Sequence, residues 1–504
     1  MKTTGKGAVI LPHGVLFCGN AESEIREKII RKGYIKGIIG LPANLFYGTG
    51  IPACIVVIDK ENAHARTGIF MIDASKGFVK DGNKNRLRSQ DLHKIVDAFT
   101  KQVEIDKYSR MVPLAEIEKH GFNLNIPRYF DSSEPEDLQD IEAHLKGGIP
   151  VRDVDALADF WRVLPAVRAT LFGPGDRPGY LTPLVDAAGV KGAILNHAEF
   201  TTFTAQVTAV FDAWSAAHID RLRGITIGDH PKELIAGISE DLLDRFKPVP
   251  LIDGYDVYQH LMTYWAEVMQ DDTYIVVQDG WAAGRVIREL VKNADGKFTE
   301  TPDITLGRRK LKAELIPPVL IVARFFAAEQ AALEALEAKA EEAARAVEEL
   351  DEEHGGEEGL LFEAKTDKGK LTAKSVKDRT RDIRLDKEAG DERAMLKTCL
   401  ALIEAAAEAD AAVKAAQAAL DAAVVARYAK LTEAEVKALL VADKWLAHVQ
   451  ADVLAEVDRV SQALAGRVKV LAERYAVPLP RLAEDLDALS ARVAAHLKRM
   501  GFAA

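Results

Sequence analysis

The stretch at residues 41–58, LPANLFYGTGIPACIVVI, carries the strongest fold signal in this chain. A strand predicted at residues 35–41 leads into a loop of aromatic residues and glycines, and an almost wholly apolar strand follows. Upstream, the apolar run at residues 7–11 predicts a fully buried strand of the parallel-sheet kind that stops at Pro12. With another strand predicted at residues 68–73, these segments indicate an α/β sheet.

The first helix is predicted just after residue 20. Asn20 is expected to cap it, with acidic residues in its first turn and basic residues in its last, an order that complements the helix dipole. Ile25 and Ile29 are expected to mark its buried side.

Composition limits the classes of function. Acidic residues outnumber basic ones by 77 to 66, which gives a formal net charge of −11. Because contacts from Lys and Arg to phosphate supply most non-specific affinity for DNA, such a chain is expected to contact DNA only locally or through a more basic partner. The three cysteines have no disulfide or metal-site spacing, which indicates a reducing compartment.

The chain begins with one candidate targeting signal. The start of the chain resembles a signal peptide, but Pro12 and His13 interrupt its apolar run. No run approaches the roughly 18 apolar residues of a membrane span. We therefore expect a cytoplasmic protein without a membrane segment.

Composition also divides the chain into three expected domains, at residues 1–131, 132–326 and 327–504. The acidic, proline-bearing stretch at residues 132–140 predicts the first boundary. The second domain is expected to be mainly helical. The aromatic residues at 257–265 recur near helical spacing, and core packing explains them better than a binding surface does.

The third domain begins with a heptad seam, which predicts a coiled-coil helix. The seam stops at Gly355 and Gly356 and resumes after a basic segment at residues 365–384, so we expect an antiparallel coiled-coil hairpin with a charged tip. A solvated turn is the plainer interpretation of that tip, and contact with DNA is the alternative. The seam residues are Leu333, Leu336, Ala340, Ala343, Val347 and Leu350, then Leu402, Ala406, Ala409, Val413, Ala416, Leu420 and Ala423.

Two more helices are predicted beyond the hairpin. Thr432 and Glu435 form the signature of a capping box. After Pro478 and Pro480 an apolar stripe restarts, and the whole region at 327–504 is interpreted as a helical device for binding proteins. The residues of this stripe are Leu482, Leu486, Leu489, Val493 and Leu497.

Three segments together carry a family resemblance: AVILPHGVLF at 8–17, LPANLFYGTGIPACIVVIDK at 41–60 and FNLNIPRYFD at 122–131. In their order and rough spacing they resemble the modification subunit of type I restriction-modification systems, an adenine-N6 DNA methyltransferase. The resemblance implies that residues 1–131 are the C-terminal half of a Rossmann-like methyltransferase sheet.

The resemblance also implies where a target base would stack. Methyltransferases of this kind flip the base out of the duplex, and an aromatic face replaces its lost neighbours. Phe46 occupies that place in the loop, with Tyr47 as the second candidate. Gly48, Gly50 and Pro52 shape the same loop, since glycine permits tight turns beside a ligand. The alternative is that Phe46 only closes the edge of the sheet.

The turn of Pro12, His13 and Gly14 belongs to the same base-side region by resemblance. His13 is a candidate for a general base. Methyl transfer to an exocyclic amine depends on positioning more than on a strong base, however. We interpret His13 as a hydrogen-bonding residue of the loop, near the DNA or the cofactor pocket.

Two motifs of the family are not found in this sequence. One is the Asn-Pro-Pro-Phe motif that holds the target amine, and the other is the glycine-rich turn that binds S-adenosylmethionine. The sole Pro-Pro, at residues 317–318, lies in a different context. No catalytic residue is therefore identified, and S-adenosylmethionine is expected as cofactor by family alone. Both motifs precede the Leu-Pro-His-Gly strand in the family, so we expect a truncated or split subunit.

Two functions from different classes follow. The first is part of a type I methyltransferase subunit that transfers methyl from S-adenosylmethionine to adenine N6 in DNA. Its expected partners are a specificity subunit, a restriction subunit, DNA and a separate N-terminal half of the methyltransferase. The second is a non-catalytic remnant or assembly protein that docks the specificity subunit.

Overall fold

The computed structural model describes residues 1–130, 137–386 and 388–501. These residues form two compact units. The first comprises Met1–His218, Lys232–Glu267 and Val449–Ala504, and the second comprises Ile219–Pro231 and Val268–His448. Most of the stretch predicted as the first domain boundary, residues 132–136, lies outside the described residues. The division into three domains stays a prediction.

A mixed five-stranded sheet forms the core of the N-terminal part, with the strand order β1-β3-β2-β4-β7. A separate two-stranded hairpin, β5-β6, lies between β4 and β7 in the chain. The α/β class is thereby confirmed, and the strands predicted around residues 35–41, 51–58 and 68–73 are present. The strands are β1 (Lys6–Pro12), β2 (Ile35–Gly40), β3 (Ala53–Asp59), β4 (Gly68–Asp73), β5 (Val79–Asp81), β6 (Lys84–Arg86) and β7 (Ser109–Pro113).

Three strands of this sheet run in the same direction. β2 and β4 are parallel, and β3 is antiparallel to both β1 and β2. β1 therefore also runs parallel to β2, and β1, β2 and β4 all end at one edge of the sheet. β7, antiparallel to β4, begins at that same edge.

Helices cover both faces of the sheet, because its central strands are apolar on both sides. Along β4, Ile69 and Met71 belong to one core cluster, while Phe70 and Ile72 belong to another. All four side chains are buried, as the period of two residues along a strand requires when both faces are packed.

The prediction of a fully buried first strand was wrong. β1 is an edge strand whose pairing among the described residues is with β3, and most of its side chains are exposed. Val9 is 39% exposed and Ile10 is 54% exposed, although Leu11 packs against the core. The apolar composition of residues 7–11 predicts a buried strand. Burial also requires a second neighbouring strand, however, and the described residues do not supply one.

Two expectations for the first helix also need correction. Asn20 has a left-handed backbone, with φ of 57°, and its side chain makes no capping hydrogen bond. Ile25 is 57% exposed, whereas Arg26 and Ile30 are buried. The expectation for Ile29 is confirmed, because Ile29 is partly buried and packs against the core. The predicted order of charges is confirmed, with acidic residues in the first turn and basic residues in the last.

The remaining elements are mainly helical. The helices up to residue 264 are α1 (Ala21–Arg31), α2 (Ser89–Lys101), α3 (Leu114–Lys119), α4 (Ile141–Lys146), α5 (Val151–Asp155), α6 (Ala158–Val163), α7 (Pro165–Leu171), α8 (Val190–Leu195), α9 (Ala198–Arg223), α10 (Pro231–Phe246) and α11 (Gly254–Tyr264). The later helices are α12 (Gln270–Asp279), α13 (Pro318–Phe325), α14 (Ala327–His354), α15 (Ala373–Asp382), α16 (Gly390–Tyr428), α17 (Glu433–Lys437), α18 (Ala447–Arg474) and α19 (Leu479–Arg499). The short strands are β8 (Ile149–Pro150), β9 (Phe172–Pro174), β10 (Tyr180–Pro183), β11 (Ile287–Glu289), β12 (Ile304–Leu306) and β13 (Arg309–Ala313).

Two predictions for the helical part are confirmed. Thr432 and Glu435 form a reciprocal capping box at the start of α17, with the Glu435 backbone N donating to Thr432 Oγ1. Tyr258, Tyr264 and Trp265, among the aromatic residues at 257–265, are buried. These aromatic side chains therefore serve core packing.

In the second unit, α14 and α16 pack along one another. Every predicted seam position is buried or half-buried, and Leu333 and Leu420 are the most enclosed. Leu350, near the end of α14, packs against a core cluster that includes Leu396, near the start of α16. At the other end, the Arg427 guanidinium of α16 lies 4.1 Å from the centre of the Phe325 ring, just before α14.

Among the described residues, no helix combines the length and apolar character needed to cross a membrane.

Candidate functional site

The predicted site residues meet at the sheet edge where β1, β2 and β4 end. His13 directly follows β1, and its backbone N donates to Pro52 O at 3.2 Å. The Leu41 backbone N, just after β2, donates to Ala53 O at 2.8 Å. Asp73 closes β4 at this edge. In open α/β sheets, ligands bind beyond the carboxyl ends of the strands, so this edge is the candidate site.

Residues 42–52, here called the aromatic loop, join β2 to β3 at this edge. Phe46 is 37% exposed and Tyr47 is 93% exposed. Gly48 has φ of +80°, a conformation that favours glycine. A Cβ on Gly50 would lie 3.0 Å from Asn44 Oδ1, so a side chain at that position would push against the loop itself. The loop presents its two aromatic rings to solvent.

The β5-β6 hairpin supports the aromatic loop. Lys84 Nζ donates to Phe46 O at 2.7 Å and to Thr49 O at 3.2 Å. The buried Asn85 donates from Nδ2 to Ala43 O at 2.7 Å. The sequence alone does not predict this support, because no local pattern links the hairpin to a loop about 40 residues upstream.

The hairpin that contacts the aromatic loop also carries positive charge. Lys80 and Arg86 are exposed on it, with Arg86 Nε 3.2 Å from Asp81 Oδ2. Lys84 is half-buried, because two loop carbonyls hold its ammonium group. The chain as a whole is acidic, so this is a local basic surface of the kind that contacts phosphate groups.

His13 is partly enclosed behind the aromatic loop. Its Nε2 atom is buried and has no hydrogen-bond partner among the described residues. Burial lowers the pKa of His13, while a hydrogen bond with the Ala53 backbone and the negative charge of Asp73 oppose that shift. His13 is therefore neutral near pH 7, and its uncharged ring can serve as a hydrogen-bonding group.

The third segment of the resemblance lies under the His13 turn. Leu124 N donates to Leu16 O at 2.8 Å. Arg26 Nε donates to Phe122 O at 2.8 Å, and its Nη1 donates to Val15 O at 3.1 Å and to Cys18 O at 2.9 Å. One buried guanidinium thus ties the end of the His13 turn to the segment that begins at residue 122.

Other chemistry at this edge is limited. The described parts of the chain hold no group of three His, Cys, Asp or Glu side chains suited to a metal ion. Burial raises the pKa of the Cys54 thiol to about 11, which keeps it protonated and unreactive.

The residues at this edge do not by themselves fit S-adenosylmethionine. A cradle for this cofactor would need a glycine-rich turn with open space over its backbone. After β4, a Cβ on Gly77 would lie 2.7 Å from Asp91 Oδ1, so this glycine accommodates a carboxylate of its own chain. The turn after β1 forms a short 3₁₀ helix, His13–Leu16. The arrangement suits an aromatic and polar ligand surface, with positive charge beside it.

Comparison with known proteins finds similarity in the N-terminal part of the chain. Residues 1–138 match the family model described as N-6 DNA Methylase. The Type I restriction enzyme MjaVII methylase subunit of Methanocaldococcus jannaschii is 38% identical over 138 residues, which are 26% of this chain and 24% of that protein. The Type I restriction enzyme MpnII methylase subunit of Mycoplasma pneumoniae is 30% identical over 138 residues, 27% of this chain and 25% of that protein. The match thus spans about a quarter of the length of these relatives.

Among solved structures, similarity is found to the crystal structure of a type I restriction-modification system methyltransferase subunit from Streptococcus thermophilus. The sequence identity is 42%, and the match covers 26% of this chain and 27% of that one, with a TM-score of 0.24.

Proposed function

We propose, from the match of residues 1–138 to the N-6 DNA Methylase family model, that this chain is part of a type I DNA methyltransferase subunit. In this proposal it provides the base side of an active site that transfers methyl from S-adenosylmethionine to adenine N6. The observation that carries the proposal is the aromatic loop, which exposes Phe46 and Tyr47 at the carboxyl edge of the sheet.

The role proposed for the aromatic loop follows from the cost of base flipping. A base removed from the duplex loses stacking with its neighbours, and an aromatic ring restores part of that energy, about 1–3 kcal/mol per stacked base. Phe46 is the first candidate for this contact. Tyr47 is the second candidate, and its greater exposure supports testing both residues.

The positive charge of the hairpin supports contact with DNA. Lys80 and Arg86 are exposed next to the loop that would receive the base. Such side chains bind phosphate and fix the register of a duplex without reading its sequence. We therefore propose that a partner supplies the sequence reading, which agrees with the net charge of −11 on this chain.

The cofactor and the target amine would be held by residues outside the matched segment. S-adenosylmethionine supplies the methyl group in this family. We propose that its binding turn and the amine-holding motif lie on sequence outside residues 1–504. The sheet would then be the C-terminal half of a Rossmann-like sheet, and the exposed edge of β1 would be available to a further strand. This chain would contribute base stacking, and His13 and Asp73 would line the shared edge.

The helical part is proposed to bind partner subunits. We propose that α14 and α16 form an antiparallel coiled-coil hairpin, supported by the enclosure of their seam residues. The region at 327–504 would dock the helical spacers of a specificity subunit, in a complex that also holds a restriction subunit. The buried free thiols Cys54 and Cys399 support a reducing, cytoplasmic location.

Reconstitution tests the proposal. The chain is mixed with an upstream polypeptide that carries a glycine-rich cofactor turn and Asn-Pro-Pro-Phe, a specificity subunit, tritiated S-adenosylmethionine and duplex DNA. The proposal expects label in adenine N6 only when both polypeptides are present. Absence of label from a complex that assembles fully would overturn it.

A second function is favoured by one observation, that the sheet edge does not fit the cofactor. In this alternative the chain is a non-catalytic remnant or assembly protein that docks the specificity subunit. It predicts stable binding of the specificity subunit without methyl transfer in any combination of polypeptides. Tritium incorporation into adenine and binding of the specificity subunit, both measured on the same samples, distinguish the two functions.

A further inference from the structure

The last helix, α19, exposes a continuous apolar stripe. None of its side chains is buried. The leucines of the stripe are 39–64% exposed, and Val493 is 57% exposed. Monomeric soluble proteins rarely expose contiguous apolar patches of this kind, so the stripe is expected to be covered by a partner.

The other long helices of the C-terminal region differ from α19 in this respect. The seams of α14 and α16 are enclosed against each other, and α18 buries many side chains, including Val453, Leu464 and Leu471. The first turn of α19 lies near α4, but this contact leaves the stripe exposed. α19 is therefore the long amphipathic helix of this region whose apolar face is unpartnered in the described chain.

The stripe follows a heptad repeat. In coiled-coil notation, the first core position (a) is occupied by Leu479, Leu486, Val493 and Met500. The second core position (d) is occupied by Leu482, Leu489 and His496. Three consecutive heptads in one register indicate that the covering partner is another helix, aligned nearly parallel or antiparallel to α19.

The charges of α19 distinguish between the possible helices. Its first half holds three acidic residues, Glu484, Asp485 and Asp487, and one basic residue, Arg481. Its second half holds three basic residues, Arg492, Lys498 and Arg499, and no acidic residue. A parallel copy would bring like charges together, whereas an antiparallel copy brings acidic halves against basic halves. Antiparallel pairing also places the N-terminus of each helix beside the C-terminus of the other, so that the two helix dipoles attract each other.

The core positions agree with antiparallel self-pairing. In such a pair, a positions face d positions. Placing Leu486 against Leu489 of the second copy simultaneously places Val493 against Leu482 of that copy. In the same register, Asp485 and Arg492, which both flank the core at position g, meet each other across the interface twice by symmetry.

We infer that α19 binds a second copy of this chain, as an antiparallel two-helix coiled coil paired through Leu482, Leu486, Leu489 and Val493. The ion pairs between Asp485 and Arg492 select the antiparallel direction. This inference assigns the apolar stripe of α19 to a second copy and leaves the other helices of the region at 327–504 for the specificity subunit. It does not depend on methyl transfer, and a failed methylation assay would leave it unaffected.

Charge reversal in the full chain tests the interface. The mass of the wild type is measured by sedimentation equilibrium over a range of protein concentrations. We expect a dimer of twice the 55.1 kDa chain mass. Asp485→Arg alone and Arg492→Asp alone should each weaken the dimer about tenfold, because each repeats an unfavourable contact twice. The double variant Asp485→Arg/Arg492→Asp should restore the wild-type affinity.

The controls use the same exposed helix, where substitutions disturb no buried contact. Asp487→Arg points away from the interface in this register and should leave the affinity within about twofold. Leu486→Glu should abolish the dimer, and an unchanged thermal unfolding curve would show that the chain still folds. A monomer at all concentrations would overturn the inference. So would a dimer that is insensitive to Leu486→Glu and to both single charge reversals, since it would use another surface, such as the open edge of β1.

Discussion

The ammonium group of Lys84 donates a 2.7 Å hydrogen bond to the backbone carbonyl of Phe46. The basic hairpin is thereby attached to the residue proposed to stack on a flipped base. The same ammonium group also donates to Thr49 O, so one side chain bridges both sides of the tip of the aromatic loop. The shape of the loop tip is thus linked to one basic residue of the hairpin.

Removing this bridge should loosen the aromatic loop. Lys84→Met keeps the aliphatic stem but deletes both hydrogen bonds. The backbone N–H groups of Asn44 and Ile51 donate to Gly50 O and Thr49 Oγ1 within the loop. We expect their hydrogen exchange to accelerate about tenfold, which corresponds to roughly 1.4 kcal/mol of local opening energy. Lys80→Met is the matched control, because Lys80 lies on the same hairpin and its ammonium lies near the Phe78 ring rather than the loop. Equal exchange in the two variants would contradict the bridging role.

Arg26 should be the most sensitive charged residue of the N-terminal part. Arg26→Met leaves the carbonyls of Phe122, Val15 and Cys18 without their shared donor. We expect a loss of about 3 kcal/mol in the free energy of unfolding, measured by urea titration. Arg26→Lys should rescue little of this loss, because an ammonium cannot reproduce the guanidinium fork.

The control for Arg26 is Lys28→Met on the same helix. Lys28 is exposed and pairs with Glu24 at 3.8 Å, so its loss should cost less than about 0.5 kcal/mol. A comparable loss of unfolding free energy for the two variants would show that the hydrogen bonds from Arg26 to the three carbonyls contribute little to stability.

The lowered pKa of His13 predicts a pH dependence. Because the folded-state pKa lies below the ordinary value of 6.5, the folded chain binds fewer protons than the unfolded chain around that pH. The stability associated with neutral His13 is present above pH 6.5 and is lost as the pH falls below it. Comparing the urea midpoints of the wild type and His13→Gln at about pH 7.5 and 5.5 should show a steeper loss in the wild type. A parallel loss in both proteins would contradict burial of this ring.

Lys80 and Arg86 should govern the electrostatic part of DNA binding by the reconstituted complex. Replacing either residue with alanine should reduce the slope of log affinity against log salt concentration by about 1, with similar losses for specific and unrelated duplexes. Lys28→Ala, on a helix outside the candidate site, should leave the slope unchanged. A wild-type slope for either hairpin variant would show that the hairpin does not contact DNA.

The strands of the central sheet could be predicted because their sequence signals are local. β2, β3 and β4 are short apolar runs bounded by turn residues, and the structure contains them within about two residues of the expected positions. The exposure of β1 could not be predicted in the same way. A buried strand and an edge strand of one apolar composition differ only in their neighbours, which a local pattern does not contain.

The candidate site was predicted in part. Phe46, Tyr47 and His13 were selected from the sequence, and the structure brings their segments to one edge of the sheet. Lys84 was missed because its partner is 38 residues away. Arg26 was missed for a similar reason: periodicity selected its neighbour Ile25, whereas the carbonyl of Phe122, which determines the burial of Arg26, lies 96 residues away.

The most direct test of the central claim is the methyl-transfer rate of Phe46→Ala in the reconstituted complex. Loss of one stacking face costs about 1–3 kcal/mol, so we expect a rate roughly 5- to 150-fold lower, with normal assembly of the complex. Ile51→Ala is the matched control, since Ile51 is an exposed apolar residue of the same loop. We predict a near wild-type methyl-transfer rate for Ile51→Ala and a rate at least about fivefold lower for Phe46→Ala. A wild-type rate for Phe46→Ala would contradict the account.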